Sequence, residues 1–423
     1  MRVKVYPSQC HGSIQIPPSK SMAHRAIICA SLANGTSRIH NISYSKDIQA
    51  TIQCMRLLGA NIQEHDTSVT ITGITKFPQE ITSTLPCEES GSTLRFLIPI
   101  FSLCNQRIYF EGKGRLLQRP QTIYQQLFDE QGLYFKQTKD YICIEGSLQP
   151  QTYTIDGNIS SQFISGLLFT LPLLQEDSII KIIPPFASKS YVDLTIDMLR
   201  HFHINVTFLD PYTIQIPGKQ SYKSCDYTVE ADYSQFAFYA VLAAIQGELT
   251  LTGVTHHSLQ GDKQILSILA SYGATIQPIK NGYHIKKGNL LAQQIDIENC
   301  PDLGPILSVL GAYANGTTTL LHASRLRIKE SDRIQAMEEE LHKFQITTYS
   351  DEDRLSIIGK STLQCDEVIL GHQDHRIVMA MTIAALCSQT PCIIDGAQAI
   401  TKSYPNFFED ILQIHGNIEY LPL

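Results

Sequence analysis

Short stretches in which apolar and polar residues alternate recur along the chain, at 68–72, 140–145, 212–217, 282–287 and 354–358. Each is the pattern of a half-buried strand, and each is closed by a glycine: Gly73, Gly146, Gly218, Gly288 and Gly359. The spacing is roughly 70 residues each time, the mark of an internal structural repeat, and a last copy closes at 417–421. Each repeat opens with an extended segment and a polar turn, followed by a helix rich in Ala, Leu and Ile. The turns are Ser19-Lys20-Ser21, Ser90-Gly91-Ser92, Ser160-Ser161-Gln162, Asp232-Tyr233-Ser234, Pro301-Asp302-Leu303 and Asp374-His375-Arg376. A second strand follows at 36–42, 106–111, 178–183, 249–252, 317–321 and 391–395, and a second helix at 47–58, 121–131, 192–202, 263–272 and 331–344. The pattern predicts an α/β protein of six β-α-β-α-β-β units, three to a core, in two similar domains. The first helices are apolar around much of their circumference and need burial on several sides, which argues against an open solenoid.

Composition supports two cores without changing the pattern. The chain has 423 residues, 43% of them hydrophobic and 17% charged. Thirty-three basic side chains against forty acidic ones give a formal charge of −7, so no global field draws it to nucleic acid or an anionic membrane. Anions must then be held by local basic clusters. Eleven cysteines with no C-x-x-C pair read as reduced, mostly buried thiols of a cytoplasmic protein. The alternating start at 1–16 lacks a signal peptide's apolar core, and apolar runs such as 166–174 fall short of the roughly 18 residues a membrane span needs. We expect neither export nor membrane insertion.

The polar turns carry the candidate chemistry. A helix start presents unpaired N–H groups and the positive end of the helix dipole, which together favour an anion. Capping alone explains most Ser and Asp residues there. It does not explain the cations gathered beside them: Lys20 and Arg25, Arg95, Arg119, Lys329 and Arg333, His375 and Arg376, and Lys402. The run His372-Gln373-Asp374-His375 fits an anion site better than a metal site, since no second ligand cluster accompanies it. His256-His257 and His201 with His203 read as surface pairs. Gly359-Lys360-Ser361 ends like a phosphate loop, but Arg354 stands where that loop needs glycine, which excludes nucleotide binding.

These phrases, in this order, resemble the 5-enolpyruvylshikimate-3-phosphate synthase family along essentially the whole chain. The matching phrases are Pro18-Ser19-Lys20-Ser21 with Arg25, Ser90-Gly91-Ser92-Thr93-Leu94-Arg95, Leu117-Gln118-Arg119-Pro120, Ser160-Ser161-Gln162-Phe163, Ser188-Lys189-Ser190-Tyr191, Arg327-Ile328-Lys329-Glu330-Ser331-Asp332-Arg333, Asp374-His375-Arg376 and Lys402-Ser403-Tyr404-Pro405. The resemblance implies two inside-out α/β barrel domains, each of three repeats, joined by two chain crossings at 14–19 and 226–231. One domain would hold 1–19 with 230–423 and bind mainly the phosphoenolpyruvate side. The other, 20–229, would bind mainly the shikimate 3-phosphate side.

The implied reaction transfers the enolpyruvyl group of phosphoenolpyruvate to the 5-hydroxyl of shikimate 3-phosphate, releasing phosphate through a tetrahedral intermediate. By the same resemblance Lys20, Gly91, Arg119, Gln162, Arg333, Arg376 and Lys402 hold phosphoenolpyruvate. Lys20, Ser21, Arg25, Ser160, Ser161, Gln162, Ser188, Tyr191, Asp302 and Lys329 hold shikimate 3-phosphate. Asp302 is the implied partner of the attacking hydroxyl and Glu330 the implied proton donor to C3, with Lys20 and His375 completing the catalytic set. The cations would share one pocket. The resemblance implies no metal or organic cofactor, no nucleic-acid or membrane partner, and a monomer. Glu89 and Arg325 stand where the family commonly has asparagine, Ser92 where it has threonine and Phe96 where it has proline; Glu89 adds negative charge near an anionic substrate. Two alternatives remain: a transferase acting on UDP-N-acetylglucosamine, whose lysine-asparagine pair and cysteine loop this chain lacks, and a non-catalytic phosphate-binding protein of the same fold.

Overall fold

A computed structural model describes residues 1–422. Two strands open the chain, β1 (Arg2–Tyr6) and β2 (Ser13–Gln15). Next come α1 (Lys20–Leu32), β3 (Thr36–His40), α2 (Lys46–Leu57), β4 (Asn61–His65) and β5 (Ser68–Thr72). The second repeat is β6 (Leu85–Pro86), α3 (Gly91–Ser102), β7 (Ile108–Glu111), α4 (Thr122–Glu130), β8 (Tyr134–Gln137) and β9 (Ile142–Glu145). The third is β10 (Thr152–Asp156), α5 (Ser161–Thr170), β11 (Ser178–Ile183), α6 (Lys189–His201), β12 (Thr207–Asp210) and β13 (Thr213–Ile216). The fourth is β14 (Tyr227–Thr228), α7 (Tyr233–Gln246), β15 (Glu248–Thr252), α8 (Ile265–Tyr272), β16 (Thr275–Ile279) and β17 (Gly282–Lys286). The fifth is β18 (Gln294–Asp296), α9 (Gly304–Tyr313), β19 (Thr317–Leu321), α10 (Arg333–Lys343), β20 (Thr347–Ser350) and β21 (Leu355–Ile358). The last is β22 (Val368–Leu370), α11 (His375–Leu386), β23 (Cys392–Asp395), α12 (Phe407–Gln413) and β24 (Asn417–Leu421).

The chain divides into a first unit, 1–17 with 230–423, and a second, 18–229, so the boundary falls at Pro17/Pro18 rather than 19/20. In the second unit the sheets run β14-β3-β5-β4, β6-β7-β9-β8 and β10-β11-β13-β12; in the first, β2-β15-β17-β16, β18-β19-β21-β20 and β22-β23-β1-β24. Four of the six sheets have a parallel pair joined through a helix, β6-β7, β10-β11, β18-β19 and β22-β23, and every sheet except β22-β23-β1-β24 has an antiparallel hairpin. A two-residue hairpin joins only antiparallel strands, so a parallel pair adjacent in the chain needs such a crossover.

The segments expected to be plain crossings are paired strands. β2 lies parallel to β15 in the first unit, with Leu251 opposite Ile14. β14 returns to the second unit parallel to β3, with Tyr227 opposite Ile39. Each therefore completes the sheet of a repeat whose other strands lie more than 150 residues away in sequence. β1 similarly inserts between β23 and β24.

The first helix of each repeat sits inside. From Phe236 to Ala244 every residue of α7 is buried, as is every residue of α11, because three such helices pack together within each unit with the sheets outside them. That is why α7, α9 and α11 carry almost no amphipathic stripe. The second helices, α2, α4, α6 and α10, alternate buried and exposed positions as surface helices do. The closing glycines have a steric reason: a Cβ on Gly73 would lie 2.2 Å from the Ala33 carbonyl, and on Gly359 1.9 Å from that of Ala314. All eleven cysteines are free. Among the described residues no helix is long and apolar enough to cross a membrane.

Candidate active site

In the second unit the polar turns become the N-termini of α1, α3 and α5. Ser19, Ser90 and Ser160 take extended backbone and accept from the N–H groups of Met22, Thr93 and Gln162, which is the ordinary N-cap arrangement. Capping uses each hydroxyl oxygen as an acceptor and leaves its O–H and the flanking side chains to act. Lys20, the first residue of α1, donates to Asp47 at 2.7 Å. Arg25, one turn on, is 2% exposed; it donates to Thr195 Oγ1 at 2.8 Å and to the carbonyls of Ser21 and Tyr191 at 2.7 and 3.0 Å. Its guanidinium also lies over the Phe96 ring, and burial lowers its pKa to about 10. Ser188 is fully buried in a left-handed conformation (φ 54°) at the start of α6, a position an L-residue holds only under constraint.

α3 and α5 meet through Gln162. Its Oε1 accepts from Arg95 at 2.9 Å and its Nε2 donates to Ser92 at 3.0 Å. Gly91 opens α3 against Arg119: a Cβ there would stand 2.8 Å from Nη1 of the Arg119 guanidinium. Ser161 is buried beside Ser160. A hydroxyl chain ties α1 to α2 and α3, with His24 Nδ1 2.7 Å from Thr51 Oγ1 and Thr51 2.7 Å from Thr93. Burial, then Lys20 and Arg25, push the His24 pKa well down, so this imidazole is neutral. The second unit thus places Lys20, Ser21 and Arg25 at the start of α1, Gly91 with Arg119 against it at the start of α3, Ser160, Ser161 and Gln162 at the start of α5, and Ser188 and Tyr191 at the start of α6.

In the first unit the cations are met by carboxylates. Asp302 sits on the 3-10 turn Pro301–Leu303, ahead of α9, whose N-cap position is Leu303. Its carboxylate instead accepts from Lys329 at 3.2 Å, Arg333 at 3.0 Å and Arg376 at 3.1 Å. Arg333, 1% exposed, also donates to Glu330 at 2.7 Å and through Nε to Asp374 at 2.8 Å. Glu330, which could have been a solvated helix acid, therefore faces the cluster. Asp374 caps α11 by accepting from Arg376 N–H, accepts from Ser331, and lies 3.8 Å from His375 Nδ1. Arg376 donates to Ser234 at 3.0 Å. Lys402, ending the 3-10 turn Ala397–Lys402, donates to the Gln373 carbonyl at 2.5 Å.

The electrostatics follow from this pairing. Burial would raise the Asp302 pKa, but Arg376, Lys329 and Arg333 outweigh it and hold it well below the usual carboxylate range. Asp374 is lowered against its burial chiefly by Arg333. Arg333 is raised, because Asp374, Glu330 and Asp302 outweigh its burial. Lys329 is lowered, burial outweighing the attraction of Asp302, with Arg333 and Arg325 adding repulsion. The first unit thus gathers Asp302, Lys329, Glu330, Arg333, His375, Arg376 and Lys402.

Three contributors were missed from sequence. Asp47 pairs with Lys20, Thr195 anchors Arg25, and Asp374 clamps Arg333. Asp374 stood in a recognised phrase as a cap, and only its long-range partner was unreadable. Among the described residues one group has metal-ligand atoms within 4.8 Å of one another, Glu339, Glu340 and His372. Lys343 and the Leu370 N–H already donate to Glu340 there. His256, read as a surface residue, is bonded to Tyr283 and the Ile279 carbonyl.

The comparisons with known proteins identify the family. The family model for EPSP synthase (3-phosphoshikimate 1-carboxyvinyltransferase) matches residues 5–411. A 3-phosphoshikimate 1-carboxyvinyltransferase of Clostridium botulinum (strain Alaska E43 / Type E3) is 43% identical over 98% of this chain and 97% of its own. One of Clostridioides difficile (strain 630) is 41% identical over 99% and 98%. The EPSP synthase of Acinetobacter baumannii superposes with a TM-score of 0.80 at 27% identity, covering 99% of both chains. The enolpyruvyl transferase NikO of Streptomyces tendae, at 15% identity and a TM-score of 0.77 over 99% and 98%, shares the fold.

Proposed function

This chain belongs to the EPSP synthase family, and from that premise we propose that it transfers the enolpyruvyl group of phosphoenolpyruvate to the 5-hydroxyl of shikimate 3-phosphate, releasing phosphate. The observation that carries the chemistry is the seating of both candidate acid/base groups, Asp302 and Glu330, on one buried guanidinium, Arg333. Shikimate 3-phosphate takes Ser21, Arg25, Ser160, Ser161, Ser188 and Tyr191, with Asp302 and Lys329 near its hydroxyls. Phosphoenolpyruvate takes Arg119, Gln162 and the Gly91 backbone, and Arg333, Arg376 and Lys402, with Lys20 touching both substrates. Arginine suits a phosphate and a carboxylate because its planar fork meets two oxygens at once.

Without ligand Asp302 is a weak base, since three cations favour its ionised form. An anionic substrate drawn to Arg333 and Arg376 competes for those cations and raises the basicity of Asp302. Asp302 then takes the proton of the 5-hydroxyl as its oxygen bonds to C2 of phosphoenolpyruvate, and Glu330 delivers a proton to C3. In the tetrahedral adduct the C2–O bond to phosphate breaks, C3 returns a proton to the Glu330 carboxylate, the enol double bond reforms, and the proton held by Asp302 leaves with the phosphate. Lys20 and His375 balance charge during these transfers.

The family match does not favour the UDP-N-acetylglucosamine alternative. Mixing purified protein with phosphoenolpyruvate and shikimate 3-phosphate should release inorganic phosphate; release only with UDP-N-acetylglucosamine would overturn the assignment. A cytoplasmic monomer is part of the same proposal, and sedimentation of the purified chain as a dimer would remove the monomer.

A further inference from the structure

We infer that His372, held by the buried carboxylate of Glu340, is a positioning residue for Lys402. This rests on the proposed function only in that Lys402 is assigned to phosphoenolpyruvate. Glu340 lies on the inner face of α10, is 0% exposed, and receives His372 Nε2 at 2.7 Å, the Leu370 N–H at 2.9 Å and Lys343 at 2.8 Å. Three donors satisfy a buried carboxylate that would otherwise be costly to hold there.

The loop they grip has an unusual backbone. His372 and Gln373 are consecutive non-glycine residues with φ of 47° and 53°, a conformation that L side chains resist and that must be imposed by contacts. Two anchors frame the pair: the Gly371 N–H donates to the Asp395 carbonyl, and the Asp374 N–H to the Gly371 carbonyl. The His372 imidazole is the side-chain anchor between them. The turn points the Gln373 carbonyl at Lys402 Nζ, 2.5 Å away. Lys402, 7% exposed, is thereby held in a defined place before any substrate arrives. Without the imidazole bond, the turn relaxes, the carbonyl swings, and Lys402 loses its set direction.

Amine labelling of the folded full chain, read residue by residue by mass spectrometry, tests this without turnover. His372→Ala should label Lys402 about tenfold faster than wild type while Lys20 in the second unit is unchanged, and His372→Gln, which keeps an N–H donor, should restore slow labelling. Steady-state kinetics should show the same contrast: His372→Ala raises KM for phosphoenolpyruvate about tenfold and moves KM for shikimate 3-phosphate less than about twofold. Unchanged Lys402 labelling in His372→Ala, or equal rises in both KM values, overturns the inference. A wild-type chain that turns over neither substrate overturns the proposed function, while the labelling contrast still decides the role of His372.

Discussion

The buried arginines of the two units are held on opposite principles, although Lys20 in the second unit is itself paired with the Asp47 carboxylate. In the first unit Arg333 and Arg376 are locked to carboxylates, whereas in the second Arg25 is held by a hydroxyl and two carbonyls. Neutral acceptors orient a guanidinium without cancelling its charge, so Arg25 keeps its full attraction for a phosphate dianion. Carboxylate partners cancel charge but place groups that gain and lose protons beside the substrate. On the proposed function, Arg25 would serve grip and the carboxylates around Arg333 would serve proton movement.

The largest effect that would test this contrast is on turnover. Glu330→Gln should lower kcat by about 10²- to 10⁴-fold while leaving both substrate affinities near wild type; wild-type turnover would take the first unit out of the proton chemistry. Next comes a stability contrast between two buried arginines. Arg333→Met takes one buried cation from Asp302, which keeps Lys329 and Arg376, and from Glu330 and Asp374, and should cost about 3–5 kcal/mol in denaturant unfolding, since breaking a buried pair leaves charge less compensated. Arg25→Met strands no carboxylate; its main loss should be a rise in KM for shikimate 3-phosphate of about tenfold to a hundredfold, from charged hydrogen bonds worth about 1.5–3 kcal/mol. Similar stability losses for both would erase the distinction.

A smaller effect should appear with pH. Asp302 and Asp374 are lowered in the folded chain, so they contribute stability above the ordinary aspartate pKa of about 3.9, and that contribution is lost as pH falls through their depressed folded values. Hydrogen exchange near pH 3 should thus loosen α11 before α5, and the reverse order would contradict the pairing. The smallest change is expected from Gly91→Ala, whose new methyl must displace the Arg119 guanidinium. A rise of several-fold in KM for phosphoenolpyruvate is the expected result, roughly 1 kcal/mol of lost binding.

Much of this was readable from residues alone, for physical reasons. The repeat showed because the closing glycines cannot be replaced where backbone meets backbone, as at Gly73 and Gly359. The sites showed because caps and cations cluster within a few residues of one another, as in Lys20-Ser21 and His375-Arg376. What stayed hidden depends on distant pairing. β2 and β14 are too short, three and two residues, to carry a periodic signal, and their partners are far along the chain. Asp302 looked like a cap because its partners, Lys329, Arg333 and Arg376, come from other elements. Glu340 is a charged residue on the buried face of α10 and His372 stands 32 positions further on, so nothing in order of sequence links them.

The insertion of β1 between β23 and β24 also has a consequence for how the chain is made on the ribosome. The second unit, save for nothing outside 18–229, can close once that stretch has emerged. The opening strand must wait for partners near the far terminus, roughly 20–80 s at ordinary translation speeds of about 5–20 residues per second. During that interval a nascent alternating strand with both edges open is a natural client for a holding chaperone.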